Sequence, residues 1–149
     1  MPSDAPQTDR LTVAGADPAL DEQLTAELTA FNFQATGVTD EREFTVRAND
    51  SDGSLIAGLS GWTWGTCAGI GLVWVREDRR KEGWGTRLLE AAEREASDRG
   101  CTQIVVSSFT FQAPEFYRRH GYVETGRTEG LPREGAADVH FVKHLGKRC

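Results

Sequence analysis

At 149 residues with a formal net charge of −6, the chain has the length of one domain and an acidic balance that disfavours nonspecific binding to nucleic acid. Hydrophobic residues at 38% and charged residues at 27% suit a globular protein with a core, and no apolar run is long enough to cross a bilayer, so no membrane partner is expected. Three cysteines without C-x-x-C spacing, and three histidines that all follow position 119, argue against a disulfide framework or a metal site. Met1 to Thr8 carry neither a basic region nor an apolar stretch, so no signal peptide is expected and a reducing cytoplasm is the expected location. Charge is uneven. Residues 1–75 hold eleven acids against Arg10, Arg42 and Arg47, whereas residues 76–149 hold twelve acids and fourteen bases. The second half therefore suits an anionic ligand and the first half a cationic one, unless these are simply solvated charges.

Residues 1–9 are polar with two prolines and read as a loose tail, leaving 10–149 as a single domain. Leu11 to Ala14 is a candidate first strand. Asp17-Pro18 opens a helix, with Leu20, Leu24, Leu28 and Phe31 at helical spacing, and Phe33 to Glu41 reads as a loop. Glu43 to Ala48 alternates as a strand, the run from Asn49 to Gly53 is a turn, and Ser54 to Trp64 forms the returning arm of a hairpin. A strand follows at Ile70 to Val75.

The informative stretch begins there. Arg80-x-x-Gly83-x-Gly85 leads into a helix from about Thr86 to Arg99 that carries one apolar stripe and ends at Gly100. Strand, glycine-bearing loop and helix N-terminus form a recipe for holding phosphate: the first helical amides lack internal partners and the helix dipole favours an anion. No P-loop is present, and Leu88 stands where a dinucleotide fingerprint needs its third glycine. Cys101 to Ser107 reads as a strand. A short helix from Pro114 carries Phe116-Tyr117 and stops before Gly121-Tyr122; strands from Tyr122 and over Asp138 to Leu145 complete the chain.

Arg80-x-x-Gly83-x-Gly85 after Val75, followed one strand later by Phe116-Tyr117-x-x-x-Gly121-Tyr122, resembles the GNAT superfamily of acyl-CoA-dependent N-acetyltransferases. The resemblance covers about Ser54 to Leu145. It implies an α/β fold with a mostly antiparallel mixed sheet of six to seven strands. The sheet would splay between its fourth and fifth strands and be flanked by about four helices. It also implies acetyl-CoA as cosubstrate, with no metal. The pyrophosphate would lie on Arg80, Lys81, Gly83, Trp84, Gly85 and Thr86, with Arg87 at its edge. The pantetheine would pair with backbone amides near Trp74 and Val75, one of which would also face the thioester oxygen. Tyr117 matches the general acid that protonates the departing thiolate. Thr110 stands where many relatives hold CoA with Asn. No carboxylate occupies the strand from Gly69 to Val73, where many relatives carry a base, so His140 is the candidate base; a structural histidine is the plainer alternative. His120 reads as a helix cap, and no cysteine falls in either motif.

For the acceptor, the candidates are Asn32 in the expected loop and Trp62 and Trp64, which share one strand face. They would form an aromatic floor for a cationic amine or, alternatively, pack a helix on the sheet. The reading is direct transfer of acetyl to a primary amine of a small molecule or peptide in a ternary complex. Protein lysine or N-terminal acetylation and a non-catalytic acyl-CoA sensor remain alternatives. Relatives are often homodimers, a state the composition leaves open.

Overall fold

The computed structural model describes residues 8–146, so most of the expected tail at 1–9 lies outside the described residues. The chain divides into two compact units, one ending at Gly37 and the other beginning at Val38. The first contains α1 (Pro18–Thr36). Asp17 caps it by accepting the Leu20 amide at 3.0 Å, with Pro18 in the first turn, as the sequence indicates. Two expectations fail here. Leu11 to Ala14 is not a strand: four residues with no partner strand have nothing to satisfy their backbone groups. The loop expected from Phe33 is helical through Thr36, because the residue able to end the helix is Gly37, left-handed at φ 70 with its amide on the Phe33 carbonyl at 2.7 Å.

The second unit is a six-stranded sheet: β1 (Arg42–Asn49), β2 (Leu55–Trp64), β3 (Cys67–Val75), β4 (Gln103–Phe109), β5 (Val123–Glu129) and β6 (Ala137–His144), in spatial order β1-β2-β3-β4-β6-β5. All neighbours are antiparallel except β3 and β4. That parallel pair holds for only three positions, Cys67 with Gln103, Ala68 with Ile104 and Gly69 with Val105. Beyond Gly69 the two strands part. The splay thus falls between the third and fourth strands, the same two segments the sequence pointed to, renumbered because the expected first strand is absent. Among the described residues the helices are α1, α2 (Trp84–Asp98) and α3 (Pro114–Arg119), plus one 3-10 turn at Glu77–Arg79.

The apolar stripe of α2, Leu88, Leu89, Ala92 and Ala96, is buried in the core with Ile56, Leu59, Ile104, Val106, Val139 and Phe141. At the far end of α2, Arg99 bonds Glu95 at 2.8 Å and the buried Thr63 hydroxyl at 3.1 Å, while its guanidinium lies 5.4 Å from the Phe44 ring centre. Nearer the middle, Glu93 Oε1 accepts both the Tyr122 hydroxyl at 3.0 Å and the Lys143 ammonium at 2.8 Å. Tyr122 is therefore a strut between α2 and the sheet, and its burial beside Glu93 raises its phenol far above the ordinary range.

The strands part where Gly69 lies beneath the Trp62 ring. A Cβ on Gly69 would sit 2.2 Å from Trp62 Cε2, closer than any real contact. Gly69→Ala should therefore destabilise the fold by about 1–3 kcal/mol. Removing the ring in a Gly69→Ala/Trp62→Leu variant should abolish the clash term, so the two changes should be non-additive in a urea denaturation cycle.

Candidate active site

Where β3 leaves β4, the sheet encloses a cavity of about 560 Å³. Its walls are Val73, Trp74 and Val75 on one strand and Ser107 and Ser108 on the other. Arg80 and Gly85 border it from the loop and α2, Phe116 and Tyr117 from α3, and Phe111 to Ala113 from the connection between β4 and α3. Trp74 is 47% exposed here, and beyond Gly69 no strand pairs with β3 on this side. Its backbone groups on the gap side are open to an extended ligand.

The loop before α2 is shaped by two left-handed residues. Gly83, at φ 85, is the residue before the first helical turn, and Lys81 holds φ 66, which an L-residue adopts at a cost of roughly 1–2 kcal/mol. The first amide with an in-helix partner is that of Arg87, on the Gly83 carbonyl at 3.1 Å, so the amides of Trp84, Gly85 and Thr86 remain available. Gly85 has a packing reason as well: a Cβ there would press on the Phe116 ring at 3.2 Å. Arg80 Nε donates to the Val75 carbonyl at 3.1 Å, which fixes the guanidinium at the cavity wall. Arg87 stacks on Trp84 at 4.1 Å and Arg79 pairs with Glu82 at 2.5 Å.

Tyr117 is 6% exposed, with its ring edge-on to Phe116 and Tyr122. Among the described residues its hydroxyl has no hydrogen-bond partner, yet it lines the cavity. Burial raises its phenol, so it stays a neutral donor at physiological pH. His120 bonds the Phe116 carbonyl through Nδ1 at 2.7 Å and the Thr86 hydroxyl through Nε2 at 2.9 Å, joining the start of α2 to α3. His140 sits on β6, with Nδ1 2.8 Å from Ser107 Oγ and Nε2 3.1 Å from Thr128 Oγ1; it meets the cavity only through Ser107.

Of the residues singled out from sequence, the cavity gathers Trp74, Val75, Arg80, Gly85 and Tyr117, with Gly83, Trp84 and Thr86 adjoining at the start of α2. Lys81 lies on the same loop. Thr110 is instead tied to β6, its hydroxyl accepting the Ala137 amide at 3.2 Å, and faces a neighbouring depression with Arg133 and Glu134. Trp62 and Trp64 do not line the cavity: the first covers Gly69, and Nε1 of the second donates to the Val38 carbonyl at 3.3 Å. Asn32 lies on α1, not in a loop. The sequence reading passed over Ser107, Ser108, Phe111 and Gln112; only the hydroxyl pair following Ile104-Val105-Val106 marked the strand's departure from an apolar pattern. Cys67 and Cys101 do not line the cavity either, and burial pushes both thiols up. No cluster able to hold a metal occurs among the described residues.

A family model described as "Acetyltransferase (GNAT) family" matches residues 12–122. The chain belongs to the GNAT acetyltransferase family. It is 30% identical over 111 residues to acetyltransferase Atu2258 of Agrobacterium fabrum, covering 74% of this chain and 81% of that one. A second relative, the blasticidin-S acetyltransferase of Streptomyces morookaense, is 40% identical over 74 residues, 47% of this chain and 52% of its own. A crystal structure of an acetyltransferase from Bacillus cereus superposes with a TM-score of 0.79 at 29% identity, over 91% of this chain and 98% of that one. This GNAT chain is thus an acetyl-CoA-dependent acetyltransferase with the mixed sheet of its family.

The phosphate-type loop of this GNAT chain is held from behind by Arg76, which bonds Asp50 at 3.2 Å and Asp78 at 2.6 Å. The Asp50 carboxyl is held below its ordinary value of 3.8, first by the Ser54 amide and then by Arg76. A lowered folded value stabilises the fold fully above the unfolded value and loses that stabilisation as pH falls through the folded one. Urea midpoints should therefore fall as the pH drops below 3.8, and Asp50→Asn should lower the midpoint at neutral pH while flattening that acid-side fall.

Proposed function

We infer that this acetyltransferase carries acetyl from acetyl-CoA to a primary amine of a small molecule by direct attack within a ternary complex. One observation carries the reading: a buried phenol, Tyr117, with no partner for its hydroxyl among the described residues, in the same cavity as the unpaired edge of β3 and the loop before α2. The pyrophosphate would rest on the amides of Gly85 and Thr86 and against Arg80, with Lys81 and Arg87 supplying charge at the rim. The pantetheine would run along Val73 to Val75 as a pseudo-strand, and an amide near Trp74 or Val75 would donate to the thioester oxygen as negative charge grows there.

The amine must arrive uncharged. Its lone pair attacks the thioester carbon, the tetrahedral adduct gives up a proton, and the C–S bond breaks with its electron pair on sulfur. Tyr117 donates a proton to that thiolate, and a phenol raised by burial is matched to this task because it does not ionise beforehand. His140, bonded to the cavity-lining Ser107, is the candidate to take the amine's proton. Neither described cysteine, Cys67 or Cys101, lines the cavity, which supports transfer without a cysteine-bound acyl group. The blasticidin-S acetyltransferase relative supports a small molecule as acceptor.

The test is CoA release from acetyl-CoA with blasticidin S, spermidine and a lysine-bearing peptide. Tyr117→Phe should lower turnover about tenfold or more with acetyl-CoA affinity unchanged. Gly83→Glu should abolish acetyl-CoA binding in calorimetry, since a left-handed φ of 85 and a second negative charge both oppose the anion there. Tight acetyl-CoA binding without turnover of any amine would instead favour a sensor.

A further inference from the structure

We propose that Ser107, bonded to His140, is the catalytic group that takes the proton from the attacking amine. The inference rests on acetyl-CoA occupying the cavity between β3 and β4. Ser107 is exposed and lines that cavity, whereas His140, one strand further from the gap, does not line it. The two residues are directly opposite in the register of β4 and β6, and their side chains meet at 2.8 Å. An imidazole in this position reaches a substrate only by way of the hydroxyl.

The partners on either side of the ring give the pair a direction. With hydrogen on Nε2, the imidazole donates to Thr128 Oγ1 at 3.1 Å and leaves the Nδ1 lone pair to accept the Ser107 O–H. Ser107 Oγ then has lone pairs free to accept an N–H from the acceptor. The carboxylate nearest in register is Asp138, which stands opposite Thr128 and has one oxygen, Oδ1, buried without a partner among the described residues. Asp138 and His144 share the ring's face on β6 by alternation, and the residues opposite His140 are Ser107 on β4 and Gly126 on β5, neither ionisable.

As the amine nitrogen bonds the thioester carbon, it becomes positively charged. Its N–H proton passes to Ser107 Oγ while the serine's own hydrogen passes to His140 Nδ1, so serine ends unchanged and the ring becomes an imidazolium. When the C–S bond breaks, the thiolate takes its proton from Tyr117. One proton has then been gained on His140 and one lost from Tyr117, and exchange with water resets both. Acetyl-CoA and amine yield amide and free CoA without an oxidant or an acyl-enzyme.

The experiment has an arm that needs no acceptor and one that does. Nitrogen-15 NMR of the free protein should find His140 hydrogenated at Nε2 and bare at Nδ1, with that preference weakened in Ser107→Ala. Hydrogen on Nδ1 in the native protein would overturn the relay. In turnover with blasticidin S, spermidine and the lysine peptide, Ser107→Ala and His140→Gln should each lower kcat about a hundredfold with acetyl-CoA affinity unchanged. The double variant should be no worse than either, and Ser107→Thr should recover part of the rate. Wild-type kcat in Ser107→Ala overturns the proposal, as does an acetyl group found on Ser107 by mass spectrometry during turnover. Failure of acetyl-CoA to bind, or of every amine to react, counts instead against the acetyl-transfer reading of the site, and the nitrogen measurement then decides the relay alone.

Discussion

The site depends on hydrogen bonds that are not made. β3 and β4 share only three paired positions before they part at Gly69 and Val105. Every residue of β3 beyond that point is held from one side by β2 and open on the other. In most sheets such an edge is a liability that is covered or charged. Here it lies inside the molecule, lined by Val73 to Val75, with the hydroxyls of Ser107 and Ser108 across the gap. The open edge leaves the backbone of β3 beyond Gly69 free to pair with an extended ligand. It explains why the groups with chemistry gather at that end and the two described cysteines, at the paired end, take no part.

Around the gap, the loop and the tyrosine helix are joined to each other as well as to the sheet. Gly85 lets the Phe116 ring come within reach of the first turn of α2, and His120 bridges the Thr86 hydroxyl to the Phe116 carbonyl. Arg76 links the loop to the β1–β2 turn through Asp50. Glu93 gathers Tyr122 and Lys143, so α2 is fixed against β6 a few residues beyond its phosphate-type end. A neutral phenol and a set of free helical amides are thereby held on one rigid frame, which is what positioning catalysis requires.

Much of this was legible in the sequence, for physical reasons. The strands of the sheet announce themselves by alternation and by strong turns such as Asn49 to Gly53, and α2 by a stripe that must face a core. Arg80-x-x-Gly83-x-Gly85 and Phe116-Tyr117 are legible because their backbone demands leave few other residues usable. The loop expected from Phe33 is helical instead because only the left-handed cap at Gly37 ends α1. Trp62 and Trp64 illustrate a different limit: a spacing of two shows that rings share a face but not what lies beneath it, and Gly69 lies beneath one of them. Ser107 was hidden for a related reason. Its partner His140 stands 33 positions away, and only pairing of β4 with β6 brings the two together.

The Trp62 ring over Gly69 has one more consequence. The indole packs over Gly69, the last position at which β3 is paired with β4, so a large side chain marks the apex of the fork. The stretch of β3 from Gly69 to Val75 spans roughly 20 Å at strand rise. The sheet carries a built-in ruler, and any molecule threading the cleft is measured against it from the same fixed zero.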